Sequence, residues 1–175
     1  MEKPLTLLIS SEEIANTNKR LAQEIDRDCQ GQSLTVVGIL KGSFIFIADL
    51  VREIQTPIEN IEFIQLSSYG SATVSSGQAD LLLDVAVESI QGKHILIAED
   101  IVDTGISTTK AINLLQQKGP ASLKLCSLLS KPSRRQKEVH IDYLGFSIPD
   151  HFVLGYGLDV DQKYRQLPAI YYFKD

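Results

Sequence analysis

Hydrophobic positions along this chain alternate between two periods, and the changes of period mark the elements. Ile14, Leu21, Ala22 and Ile25 recur at helical spacing and form one apolar stripe. Ser10 stands where a cap belongs, Glu13 can reach back onto it, Ile9 can staple onto Ile14, and Gly31 supplies a stop. Residues 34–40 form an uninterrupted apolar run, the pattern of a strand covered on both faces. A helix over 44–54 and a partly alternating strand over 61–66 follow. The pattern then lapses: residues 67–77 hold five serines and two glycines with almost no apolar anchor. A loop of that length in a compact domain is expected to be a lid, here about 67–78, with a disordered spacer as the plainer alternative.

Beyond it, 81–87 reads as a strand and Gln91-Gly92 as a turn into a buried strand that starts at His94. Ala111, Leu114 and Leu115 mark a helix ended by Lys118-Gly119-Pro120, and 123–129 is another apolar strand. Short strands over 143–146 and 152–156 bracket Ile148-Pro149-Asp150. Strands alternating with helices imply an α/β protein with a central parallel sheet flanked by helices and right-handed crossovers. Segments about 1–9 and 160–175 are expected to fold together as a small cap, or hood, over the sheet edge. No repeat or linker divides the chain, so 1–175 reads as one domain.

Composition narrows the class. Hydrophobic residues make up 43% and charged residues 22% of the 175, an ordinary globular balance. The net charge of −5 disfavours a broad nucleic-acid footprint. Lys131, Arg134, Arg135 and Lys137 form the one basic cluster, whose plain reading, Lys131 apart, is a solvated loop end. No apolar run is long enough to span a bilayer, and Met1 to Leu5 lacks signal-peptide design. Cys29 and Cys126 lack metal spacing, and Cys126 reads as a reduced core thiol. A cytoplasmic protein is expected, bound to neither membrane nor nucleic acid.

The chemistry concentrates in residues 94–108. An apolar strand ends in Glu99 and Asp100; then come Asp103, Thr104, Gly105, Ile106, Ser107 and Thr108, a small-residue turn into a helix. Carboxylates at a strand's C-terminal edge can hold sugar hydroxyls or a hydrated cation. Amide groups at the following helix start, with the dipole's positive end, make a phosphate cradle. One segment could thus grip a sugar phosphate at two points. Neither a P-loop nor a dinucleotide fingerprint fits: Gly-x4-Gly-Lys-Ser/Thr is missing, and the lone Gly155-Tyr156-Gly157 is followed by Asp159-Val160.

That segment closely resembles the phosphoribosyl-pyrophosphate motif of type I phosphoribosyltransferases. Leu40-Lys41-Gly42-Ser43, Ser130-Lys131-Pro132-Ser133-Arg134-Arg135 and residues 149–159 resemble the hypoxanthine (6-oxopurine) members of bacterial type. The resemblance implies magnesium-dependent transfer of the 5-phosphoribosyl group to hypoxanthine, and to guanine, in purine salvage. It places Glu99 and Asp100 at the ribose hydroxyls and, with Asp159, near Mg2+. It makes Asp103 the general base near purine N7, and residues 104–108 the 5-phosphate cradle. Lys41, Gly42 and Arg165 fall at pyrophosphate, with a cis Leu40-Lys41 peptide. Lys131 falls at the 6-oxo group, Phe152 stacks on the base, and Val153 and Asp159 read the purine side. Ser68 and Tyr69 fall at the lid tip. Relatives are homodimers or homotetramers. Val160 and Gln162 depart from a frequent aromatic and a frequent acid.

With Lys131 at the position the resemblance implies, a 6-oxopurine is favoured over adenine, since a cation there rewards a carbonyl and penalises an amino group. A xanthine- or adenine-preferring enzyme, an RNA-binding regulator that kept the sugar-phosphate motif, and a purely structural domain are the rival readings. Taken alone, Phe152 reads as core, and Ser43 as the cap of the next helix.

Overall fold

A computed structural model describes residues 4–67 and 80–174. In chain order its elements are β1 (Leu5–Ile9), α1 (Ser11–Asp28), β2 (Leu34–Leu40), α2 (Phe44–Glu53), β3 (Ile58–Leu66) and β4 (Leu81–Leu83). Then come β5 (His94–Val102), α3 (Ile106–Gln116), β6 (Ser122–Ser130), β7 (Tyr143–Ser147), β8 (Val153–Leu154) and β9 (Ile170–Phe173). The expected lid tip, Ser68 and Tyr69, lies outside the described residues.

Six strands form the main sheet in the order β4-β3-β2-β5-β6-β7, parallel except for β4. From β2 the chain goes on to β3 on one side, and from β5 it goes on to β6 on the other. The neighbours β2 and β5 therefore diverge, which opens a crevice beyond their C-terminal ends. Alternate strand residues supply the two faces. Val36, Leu96 and Leu128 share a core with Leu21 and Ile25 of α1 and with Phe46 and Leu50 of α2. Val37, Ile95, Ile97 and Leu125 share the other with Ala111 and Leu115 of α3. Truncating a fully buried leucine such as Leu50 to alanine would cost about 2–5 kcal/mol.

The first helix starts as its sequence dictates. The Ser10 hydroxyl accepts the Glu13 N–H at 3.2 Å, and the Glu13 carboxylate accepts the Ser10 N–H at 2.8 Å. This capping box satisfies two donors that the helix itself leaves unpaired. Both cysteines are free and buried. No described helix is long and apolar enough to cross a membrane.

Four expectations are corrected. The central strand does not end at Glu99 and Asp100 but runs on to Val102, because β6 offers ladder partners as far as Ser130. The strand expected over 81–87 stops at Leu83; the Asp84 carboxylate accepts the Val85 N–H at 2.8 Å, a local bond that competes with the ladder. The strand expected over 152–156 is the two-residue β8, and it lies in the hood, an antiparallel sheet of order β1-β9-β8. Ser43 caps nothing with its side chain; its hydroxyl donates to the Ile39 carbonyl at 2.6 Å and ties the following turn back onto β2. Ile9, Val153 and Ile170 of the hood join the same core as Leu21 and Phe46.

Candidate active site

The crevice at the ends of β2 and β5 encloses about 880 Å³. Lys41 and Gly42 line it from β2, Glu99, Asp100 and Asp103 from β5 and its exit, and residues 104–108 from the turn into α3. Asp159, Gln162 and Arg165 reach it from the segment that leads into β9. The peptide between Leu40 and Lys41 is cis.

The turn into α3 leaves backbone amides free to take an anion. Gly105 occupies the N-cap with φ +83°, and a Cβ there would overlap the Lys137 carbonyl. Backbone freedom and close approach both call for glycine. The first amides of α3 lack intrahelical acceptors and stand at the positive end of its dipole.

On the β2 side, a Cβ on Gly42 would overlap the Asp100 carboxylate, and a Cβ on Gly157 would overlap the Gly42 carbonyl. Three segments thus meet at van der Waals distance around Gly42. Arg165 locks the hood loop beside them: it donates to the Gly157 carbonyl at 2.7 Å, pairs with Asp159 at 2.8 Å and donates to Gln162 at 3.0 Å.

Glu99 and Asp100 are buried, at 6% and 7% exposure. Burial, the neighbouring Asp100 charge and a hydrogen bond between the two carboxyls push Glu99 well above the usual carboxylate range. Burial also raises Asp100, less strongly, since the bond to Glu99 and backbone amides favour its anion. Burial thus disfavours two full charges side by side at this pair. Glu99 Oε2 is buried and has no hydrogen-bond partner.

Asp103 is held from outside the crevice. Arg134 Nε lies 3.4 Å from its carboxylate, and the same guanidinium reaches Asp150 at 3.5 Å. Lys131 follows β6, is 4% exposed, and donates its N–H to the Val102 carbonyl at 3.0 Å. Burial depresses its ammonium, while Asp103 and Asp150 oppose that shift.

The structure thus gathers Lys41, Gly42, Glu99, Asp100, Asp103, residues 104–108, Asp159 and Arg165 around one cavity, and leaves Lys131, Phe152 and Val153 off its lining. Lys131 is linked to it electrostatically through Asp103. Phe152 is 63% exposed, which corrects its reading as core, and Val153 is buried in β8. Glu99, Asp100 and Asp159 form no three-ligand cluster, and among the described residues none exists; Asp159 is engaged by Arg165 and by the Gln162 N–H at 2.8 Å. Gln65 and Gln136 also line the cavity, and a lone glutamine carries no sequence signal. Arg134 and Arg135 reach Asp103, and their adjacency just after Lys131 was the available cue.

The chain is similar to known proteins over nearly its whole length. Residues 9–161 match the family model described as "Phosphoribosyl transferase domain". The hypoxanthine phosphoribosyltransferase of Salmonella typhimurium is 42% identical over 97% of this chain and 96% of its own. The hypoxanthine-guanine phosphoribosyltransferase of Bacillus subtilis is 42% identical over 94% and 90%. A crystal structure of a hypoxanthine-guanine phosphoribosyltransferase from Bacillus anthracis superposes with a TM-score of 0.90 at 42% identity, covering 99% of this chain and 100% of that one.

Proposed function

The chain belongs to the phosphoribosyl transferase family, and from that premise we propose that it transfers the 5-phosphoribosyl group of phosphoribosyl pyrophosphate to hypoxanthine, and to guanine, releasing pyrophosphate. The products are inosine and guanosine 5′-monophosphate. The observation that carries this reading is the buried Glu99–Asp100 pair set in the same crevice as the anion cradle of residues 104–108 and the basic side chains of Lys41 and Arg165.

Breaking the bond from C1 of the ribose to pyrophosphate leaves positive charge on the sugar and negative charge on the leaving group. Glu99 and Asp100 orient the ribose hydroxyls at the cationic ring. The amides at the start of α3 hold the 5-phosphate. Lys41, the Gly42 amide and Arg165 receive the pyrophosphate. Asp103 takes the proton from N7 of the incoming purine, a role worth about 10²–10⁴-fold. Lys131 donates to the 6-oxo group, exposed Phe152 offers a face for stacking, the Val153 carbonyl reads the purine edge, and Asp159 completes that side. Ser68 and Tyr69, outside the described residues, are read as the lid tip.

The donor set suits a hydrated magnesium ion. Two buried carboxyls with suppressed ionisation, one oxygen of them unpartnered, are what such a cation relieves. Magnesium takes few carboxylates and completes its shell with water and phosphate oxygens, so a three-carboxylate cage is not required. Glu99 and Asp100 would hold it, with Asp159 nearby; a cation held there would neutralise charge on the leaving pyrophosphate. The assembly is read as a homodimer or homotetramer; Leu81 and Leu83 are exposed on one face of the edge strand, while Leu82 lines the crevice.

The deciding experiment supplies phosphoribosyl pyrophosphate and magnesium with hypoxanthine, guanine, xanthine or adenine, and separates the monophosphate products by chromatography. Product with hypoxanthine and guanine is expected. No product with either overturns the reading.

A further inference from the structure

One side chain ties the exit of β5 to the exit of β6. Arg135 donates through Nη1 to the Asp103 carbonyl at 3.1 Å and through Nη2 to the Ser130 hydroxyl at 2.7 Å. Ser130 is 3% exposed and immediately precedes Lys131. The next two residues extend the tie, since Gln136 and Lys137 both donate their N–H groups to the Thr104 carbonyl, at 2.9 and 3.0 Å. A planar guanidinium serves two acceptors in fixed directions, whereas a lysine ammonium on a flexible stem does not.

A purine is rigid, so the distance from N7 to the 6-oxo group cannot adapt to the protein. A site that engages both atoms must hold its own two groups at a matching distance. We propose that Arg135 is a positioning residue: by bridging the Asp103 carbonyl and the Ser130 hydroxyl, it fixes the separation between the general base and the lysine that reads the 6-oxo group. It acts through these residues and touches no substrate itself. The inference rests on the roles given above to Asp103 and Lys131.

The test compares wild type, Arg135→Lys, Ser130→Ala and the double variant. Steady-state constants for hypoxanthine and phosphoribosyl pyrophosphate are measured alongside thermal midpoints. Misplacement of a catalytic group by about 1 Å costs about 10²-fold, so Arg135→Lys should lower kcat by that factor. The KM for phosphoribosyl pyrophosphate should stay within about twofold, because the amides of α3 are untouched. Ser130→Ala should lower kcat by about tenfold, and the double variant should be no worse than Arg135→Lys, as members of one network are non-additive. An unchanged kcat in Ser130→Ala, multiplicative effects, or a loss explained wholly by unfolding would overturn the role of Arg135 while wild type stays active. Should Arg135→Lys fail to fold, Ser130→Ala alone decides. A wild type that transfers no phosphoribosyl group would overturn both this proposal and its premise.

Discussion

Gly42 packs directly against the carboxylate of Asp100, so closely that no side chain fits between β2's exit and β5. Asp100 is 7% exposed, and its carboxylate has little room to retreat. Gly157 presses on the carbonyl of Gly42 from the hood. The acid pair, the cis turn and the hood loop therefore hold one another in place.

Gly42→Ala should accordingly swing the Asp100 carboxylate out of its position. Overpacking of this kind costs about 1–3 kcal/mol, which a domain of this size shows as a fall of roughly 2–12 °C in Tm. The kinetic loss should be larger, about 10²-fold or more in kcat/KM. Circular dichroism melting and steady-state assays read both, and an alanine variant with wild-type kinetics would show that the contact is incidental.

Asp103→Asn keeps the shape of the proposed base and removes its capacity to accept a proton. Turnover should fall by about 10²–10⁴-fold, while binding of phosphoribosyl pyrophosphate, measured by calorimetry, should persist. Arg134 loses its ionic partner in this variant but keeps Asp150, so the loop after β6 should stay folded.

Much of this was legible in the chain because the governing signals are local. The stripe of Ile14, Leu21, Ala22 and Ile25, the Ser10–Glu13 box, and the acidic-to-hydroxyl segment from Glu99 to Thr108 each span only a few turns or residues, and each lies where expected. What escaped depends on partners far away in sequence. That β8 belongs to the hood is decided by pairing with β9. That β5 runs past its carboxylates is decided by β6. Phe152 shows the limit of composition, since an aromatic between Pro149 and Val153 suggests core, yet its ring is left to solvent.

Tyr156 is a further element that no local pattern reveals, and it carries a stability prediction. Its hydroxyl donates to Asp49 at 2.6 Å and accepts from Asn18 at 2.9 Å, joining the hood to α2 and α1 across more than a hundred residues. Burial and the bond to Asp49 raise its phenol out of the physiological range, so it stays neutral. Tyr156→Phe strands the side-chain N–H of Asn18, which is buried already with its side-chain oxygen unpaired, while Asp49 keeps its ion pair with Arg52. The expected cost is about 1–3 kcal/mol, read as a lower urea midpoint with an unchanged m-value. An unaltered midpoint would mean that water replaces the hydroxyl at no cost.

The acid pair predicts an unusual pH dependence of stability for the ligand-free protein. Burial raises Glu99 well above its ordinary value and raises Asp100 in the same direction. Above the ordinary carboxylate range the folded protein therefore binds more protons at this pair than the unfolded chain does. By linkage, stability from this source is complete below the unfolded pKa and declines as pH rises through the raised folded value. Glu13, Asp28 and Glu59 contribute the opposite slope at lower pH, since hydrogen bonds to Ser10, Arg27 and Lys93 lower their pKa values. The difference between wild type and Glu99→Gln isolates the ionisation of Glu99, because the amide cannot ionise. Melting curves from pH 4 to 8 should show the variant gaining on wild type as pH rises. Magnesium with phosphoribosyl pyrophosphate should raise the wild-type midpoint most at the alkaline end, where both carboxyls must otherwise carry charge without a counter-ion. Parallel curves for the two proteins across that range would mean that Glu99 is already ionised in the free crevice.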